Sequence, residues 1–101
     1  MPKKPKPPVT TYSISVADTS YGQAAVATVS PVPPAGLWVY FDINGSGWST
    51  INWRQVINGV ATHLVSSPTY NGTPGTGIAF VGDGLDNTTY LSNVANFTVT
   101  P

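Results

Sequence analysis

Cysteine and glutamate are absent from this chain of 101 residues, and charged residues of any kind are scarce. Without cysteine the chain has no disulfide, and no thiol is available as a nucleophile or metal ligand. Without glutamate, a common helix former, several surface helices are hard to build. Charged residues make up 8% of the chain, against about 25% in a typical soluble protein. The composition therefore disfavours a helical fold and excludes thiol chemistry.

Threonine, serine and asparagine supply most of the polarity, with 13, 9 and 7 copies. Threonine fits the pleated surface of a strand, and ten glycines and ten prolines interrupt the chain at short intervals. A chain of this length supports one domain with a single modest core. We therefore predict an all-β protein.

The three lysines, Lys3, Lys4 and Lys6, all lie within the first six residues. Proline fixes φ and lacks an N–H, so the four prolines among residues 1–10 predict an extended or disordered basic arm. Residues 11–101 form the predicted domain, in which Arg54 and four aspartates give a formal charge of −3. The arm is either a disordered leader that aids solubility or a segment that orders against a partner.

Short apolar stretches with strand alternation follow one another at spacings of about 8–12 residues, which is typical of a β-sandwich. Residues 48–57 are predicted to form a strand or a bent pair of strands. Asn58-Gly59 is predicted to form a type I′ hairpin turn that returns the chain along residues 60–65. A turn is predicted at residues 18–20. The predicted core residues are Val39, Phe41, Ile78, Phe80, Phe97 and Val99.

Several short motifs, in their order along the chain, resemble bacterial and phage immunoglobulin-like repeats of the Big type. The motifs are Tyr21-Gly22-Gln23, Ala27-Thr28-Val29-Ser30-Pro31, Val39-Tyr40-Phe41-Asp42, Asn58-Gly59-Val60-Ala61-Thr62, Gly82-Asp83 with Tyr90, and Phe97-Thr98-Val99-Thr100-Pro101. The resemblance implies an immunoglobulin-like β-sandwich of about seven antiparallel strands. The chain departs from it at His63, where the family usually has an aliphatic residue, and in carrying one copy on a basic arm.

A single module of this kind on a basic arm is similar to the head-decoration proteins that tailed phages mount on their capsids. The resemblance implies a non-enzymatic virion protein whose partner is the major capsid protein or another virion protein. Whether copies of the chain form a homo-oligomer on that assembly stays open. The alternative is an adhesin or carbohydrate-binding module of a bacterial surface or phage tail, which binds glycans. Neither a signal peptide nor a membrane span is predicted, so the expected location is the virion, with the bacterial cell surface as the alternative.

Four aromatic residues, Trp38, Tyr40, Trp48 and Trp53, are predicted to form a partner-binding set together with Lys3, Lys4 and Lys6. On an alternating strand, Trp38 and Tyr40 point away from the face that carries Val39 and Phe41. Outward aromatic residues are typical of a contact patch for a protein or a sugar. The alternative is cross-strand packing that covers the outer face of the sheet.

Other chemistry finds little support in the sequence. His63 is the one histidine, and no nucleophile-elbow spacing surrounds a serine, so no catalytic residue is predicted. The turn at Asp83–Asn87 is rich in oxygen ligands but lacks the spacing of a calcium loop, and local hydrogen bonds explain its composition. We predict no metal and no cofactor. A domain of charge −3 repels phosphate, so nucleic acid is not an expected partner.

Overall fold

The computed structural model describes residues 12–45, 47–65 and 74–100, and within these ranges the chain forms strands, turns and loops without a helix. Accordingly, no helix in the described ranges is long and apolar enough to cross a membrane. The strands are β1 (Ser13–Val16), β2 (Thr19–Ser20), β3 (Ala24–Ser30), β4 (Trp38–Gly45), β5 (Trp48–Gln55), β6 (Val60–Leu64), β7 (Gly75–Gly82) and β8 (Ala95–Thr100). The prediction of an all-β protein is confirmed.

The strands are arranged in two sheets. The first has three strands in the order β1-β3-β6, and the second has five in the order β2-β8-β7-β4-β5. Every pairing is antiparallel except that of the short β2 with β8, which is parallel. The described part therefore has eight strands, one more than predicted, because Thr19–Ser20 pairs with β8 where the sequence predicted only a turn.

The core lies between the two sheets and follows the alternation of the strands. Ala25, Ala27 and Val29 of β3 are buried, and every second residue between them is exposed. The five-stranded sheet contributes larger side chains to the same cluster, including Phe41 and Phe97. Small alanines on one sheet therefore face large rings on the other. Of the predicted core residues, Val39, Phe41, Phe97 and Val99 are confirmed in this cluster.

Strand β7 confirms one of the remaining two core predictions, Phe80, and corrects the other, Ile78. Its inward residues are Ala79 and Val81, which belong to the central cluster. Phe80 is buried as predicted, with 1% exposure, but on the opposite face of the sheet, and Ile78 on that face is only half-buried. Gly77, at an inward position of this strand, makes room for the ring of Phe97, which lies against it.

The Asn58-Gly59 turn is confirmed, but the predicted hairpin is not. Asn58 has φ of 53° and Gly59 φ of 78°, as a type I′ turn requires. Ile57 and Val60 form an isolated bridge across this turn. Beyond the bridge the strands separate, because β5 pairs with β4 while β6 pairs with β3. The turn therefore connects the two sheets, and the basic arm of residues 1–10 lies outside the described residues.

Candidate binding surfaces

Three of the four predicted aromatic residues, Trp38, Tyr40 and Trp53, lie on the outer face of the five-stranded sheet, and there Tyr40 packs against Trp53. Tyr40 is the register partner of Trp53 on one side and of Phe80 on the other. The Tyr40 ring stacks on Phe80 with centroids 4.9 Å apart, and meets Trp53 edge-on at 5.0 Å. Tyr90 covers Phe80 at 4.2 Å. We call Tyr40, Trp53, Phe80 and Tyr90 the aromatic cluster.

The burial of this cluster indicates that its rings pack within the protein and do not form a contact patch for a partner. Tyr40 is 6% exposed and Phe80 is 1% exposed, so the two central rings offer little surface to a partner. Close aromatic pairs contribute about 0.5–1.5 kcal/mol each beyond their burial. The cluster thus serves as a second, smaller core on the outside of the sheet, with the partly exposed rings of Trp53 and Tyr90 at its edges.

The other two predicted aromatic residues occupy different environments. Trp38 is half-buried on the same outer face, and Gly84 lies so close to its ring that a Cβ at residue 84 would be 2.7 Å from Cδ1. Trp48 packs against the central core instead and meets Tyr21 edge-on at 5.8 Å. Its indole Nε1 is buried and has no hydrogen-bond partner among the described residues. The structure therefore does not bring the four aromatic residues together, and Lys3, Lys4 and Lys6 lie outside its described part.

Hydrogen bonds from within the acidic turn after β7 engage the carboxylates of its two aspartates. Asp83 Oδ1 accepts hydrogen bonds from the backbone N–H groups of Leu85 and Asp86, both at 2.8 Å. The Asp86 carboxylate accepts from the hydroxyls of Thr88 and Thr89 at 2.6 and 2.7 Å. These donors stabilise the charged carboxylates and lower the pKa of each aspartate. Within the described ranges no group of three or more potential ligand side chains is arranged to hold a metal ion.

His63 lies in the core between the sheets, not in a solvent-accessible site. It is 7% exposed, and its ring lies against Phe41 with centroids 5.7 Å apart. Nδ1 is buried without a hydrogen-bond partner in the described part of the chain. Burial disfavours the charged imidazolium, so the pKa of His63 is lowered, and the positive charge of Arg54 lowers it further.

Among the described residues, the strands of the three-stranded sheet place no charged side chain on its outer face. Its exposed apolar residues are Val26, Val60 and Leu64, with 43%, 38% and 63% exposure. Val26 lies opposite Thr62, and Val60 lies opposite Thr28. We call this surface the uncharged face. Burying it against another molecule would desolvate hydroxyls and methyl groups without desolvating an ion.

A polar cavity of about 340 Å³ opens on the outer face of the five-stranded sheet, beside the aromatic cluster. Two cross-strand rows line it, since Asp42 pairs with Ile78 and Ile78 with Asn96, while Asn44 pairs with Thr76 and Thr76 with Thr98. The row next to Asp42–Ile78 is the Tyr40–Phe80 pair. Asp18, from the connection between β1 and β2, closes the far edge.

Hydrogen bonds hold both carboxylates of the polar cavity in place. Asp18 Oδ1 accepts from the backbone N–H of Thr98 at 2.8 Å. Asp42 Oδ1 accepts from Nδ2 of Asn44 at 2.9 Å. In the described part of the chain, the lining includes no lysine, arginine or histidine. The cavity therefore carries negative charge and combines hydrogen-bonding side chains with apolar surface, which includes the side chain of Ile78.

Sequence reasoning missed both the polar cavity and the uncharged face. The outward positions of β4 and β8 carry a local signal, because Asp42 and Asn44 alternate with buried residues, as Asn96 and Thr98 do. The cavity exists only because β7 aligns β4 with β8. The register of these two pairings depends on residues that are far apart in the sequence. Comparisons with protein-family models, with the curated proteins and with the solved structures found no match.

Proposed function

We propose that the chain is a non-enzymatic docking module with an immunoglobulin-like sandwich, mounted on a tailed-phage capsid as a head-decoration protein. The strand order supports the immunoglobulin-like part of the proposal. In such domains of seven strands, the first, second, fourth and fifth strands form one sheet, and the third, sixth and last strands form the other. With β2 taken as an extra strand beside β8, the orders β1-β3-β6 and β2-β8-β7-β4-β5 fit that plan except at the fourth strand, β5, which pairs with β4 instead.

The observation that carries the docking proposal is the uncharged face. Val26 and Leu64 expose apolar surface in a setting of threonine and serine hydroxyls. A capsid protein can cover such a surface without the desolvation of charges, the costly part of burying a polar surface. The lysines of the arm would add attraction to an acidic acceptor and raise the rate of encounter more than the final affinity.

Cosedimentation with purified, undecorated capsids tests this proposal. Deleting residues 2–8 removes the three lysines, and Leu64→Asp places a charge on the uncharged face. We expect the deletion to abolish attachment if the arm is the main anchor. We expect Leu64→Asp to weaken attachment about tenfold or more, the effect of losing a buried leucine side chain.

Ile51→Asp is the matched control, because Ile51 is 56% exposed on the other sheet while Leu64 is 63% exposed. Attachment of the control should equal that of the wild-type chain. Circular dichroism should show that all three variants remain folded. A wild-type chain that does not sediment with capsids would overturn the decoration proposal.

A second candidate is the adhesin or carbohydrate-binding module, and the polar cavity favours it. A partner held at the uncharged face leaves the cavity accessible, because the two lie on the outer faces of opposite sheets. The two candidate functions therefore place the binding site on different surfaces of the same domain. A chain that binds glycans but shows no affinity for capsids would be an adhesin or carbohydrate-binding module.

A further inference from the structure

We propose that the polar cavity is a binding site for a neutral carbohydrate, held by Asp42, Asn44 and Asn96 over the side chain of Ile78. The inference rests on the second candidate function and gives it a site and a ligand class. It also moves the site away from the aromatic residues that the sequence indicated. The cavity, at about 340 Å³, lies at the small end of ligand pockets, which span about 300–1,000 Å³.

The hydrogen-bonding groups of the cavity define the ligand. A carboxylate only accepts hydrogen bonds, whereas a carboxamide and a hydroxyl both donate and accept. Asp42 therefore needs donors, while Asn44 and Asn96 need donors and acceptors together. An ammonium or guanidinium ligand supplies donors alone, so it offers no acceptor to the amide of Asn96, whereas the amide of Asn44 already donates to Asp42. A sugar hydroxyl supplies both, so a polyol can satisfy the polar side chains of the lining.

The negative charge of the cavity excludes anionic ligands. Asp18 and Asp42 line the site, and no cationic side chain in the described ranges lines it with them. Phosphate, sulfate or an acidic sugar would meet uncompensated negative charge. The ligand is therefore uncharged.

The geometry of the floor suits a ring with apolar C–H groups. Ile78 lies between Asp42 and Asn96 in one cross-strand row, so an apolar side chain is flanked by polar groups on both sides. A pyranose has the same arrangement, with C–H groups on its faces and hydroxyls around its edge. Asn44 and the Thr98 backbone hold the two carboxylates before a ligand arrives, which reduces the ordering cost of binding.

Titration of the ¹⁵N-labelled chain with tetrasaccharides of glucose, mannose, galactose and N-acetylglucosamine tests the site by NMR. We expect at least one of them to give saturable shifts at the backbone amides of Thr76, Asn96 and Thr98. Asn96→Ala and Asp42→Asn should each raise Kd about tenfold or more, equivalent to about 1.4 kcal/mol. Asn87→Ala is the matched control, since Asn87 and Asn96 are both exposed and Asn87 lies outside the cavity; it should leave Kd unchanged.

Three outcomes would overturn the proposal. The first is the absence of saturable shifts with every tetrasaccharide. The second is binding that Asn96→Ala and Asp42→Asn leave intact, which would place the ligand elsewhere. The third is preferential binding of lysine amide, added as a cationic probe, which would make the cavity a cation site. Because the titration contains no capsid, its result is independent of the decoration proposal.

Discussion

The imidazole of His63 lies against the ring of Phe41 in the core between the two sheets, with centroids 5.7 Å apart and planes inclined by 32°. The alternation of β6 places His63 on the same inward face as Ala61 and Val65, both of which are buried. A titratable group is thus packed where an aliphatic side chain would suffice. The fold tolerates it because the neutral imidazole behaves as a small aromatic ring.

The stability of the domain should fall as the pH drops below about 6.5, the unperturbed value for histidine. Burial lowers the pKa of folded His63, so the unfolded chain binds a proton at a pH where the folded chain does not. Stability is complete above the unfolded pKa, decreases as the pH falls towards the folded pKa, and levels off below it. The slope cannot exceed about 1.4 kcal/mol per pH unit for one proton.

Urea unfolding at about pH 7.5 and about pH 5.5 measures this effect, on either side of the unperturbed histidine pKa. His63→Leu is the control, because it replaces the imidazole with an apolar side chain and removes the titration. The variant should be at least as stable as the wild-type chain at the higher pH. Its stability should not change with pH between the two measured values. An equal pH dependence in the variant would assign the effect to another group.

The sequence predicts parts of the fold that depend on local pattern. The alternation of β3 places Ala25, Ala27 and Val29 inward, and the Asn58-Gly59 pair predicts its own turn because both residues adopt positive φ. The assignment of β5 and β6 to different sheets is not local. It depends on the pairing of β5 with β4 and of β6 with β3.

The sequence predicts β7 less well because both faces of that strand are covered. Phe80 is buried on the outer face beneath Tyr90, and Val81 is buried on the inner face. Alternation therefore does not separate the two faces, and the sequence predicts the larger side chains, Ile78 and Phe80, as core residues. The inward face instead carries Gly77, because the Phe97 ring from β8 occupies that space. The polar cavity depends on the same registers, so single-strand patterns could not predict it.

Tyr40→Ala should destabilise the domain by about 3–5 kcal/mol, as large-to-small changes of buried aromatic residues do. Tyr40 stacks on Phe80 and meets Trp53, so its removal opens the aromatic cluster from the middle. Chemical unfolding measures the change. Leu85→Ala is the control, since Leu85 is 90% exposed, and should change stability by less than about 0.5 kcal/mol. A Tyr40→Ala protein of wild-type stability that no longer docks would make the cluster a contact patch.

Asp83→Ala should lower the melting temperature, because it removes the acceptor of two backbone N–H groups in the turn. These hydrogen bonds lower the pKa of Asp83 in the folded chain. The contribution of Asp83 to stability is therefore present above the ordinary aspartate pKa and is lost as the pH falls below that value towards the folded pKa. Differential scanning fluorimetry of both proteins at neutral and at acidic pH measures these effects, and a repeat with CaCl₂ tests for bound calcium. Calcium should not raise the melting temperature of the wild-type chain. A calcium-dependent rise that Asp83→Ala abolishes would contradict the turn explanation.

Gly77→Ala should destabilise the domain through the ring of Phe97. A methyl group at residue 77 would overlap the ring, which belongs to the central core and is 4% exposed. Overpacking of this kind costs about 1–3 kcal/mol, because the ring must leave its rotamer or the strands must shift. Thr76→Ala, at the neighbouring outward position, is the control and should cost less.

A double-mutant cycle with Phe97→Leu tests the cause of that destabilisation. The smaller leucine should accept the methyl group, so Gly77→Ala should cost less in the Phe97→Leu background than in the wild-type chain. The expected coupling lies in the range of about 0.5–3 kcal/mol found for residues in contact. Urea unfolding of the four proteins gives it directly. Additive costs would show that Gly77 is required by the β7 backbone and not by the ring of Phe97.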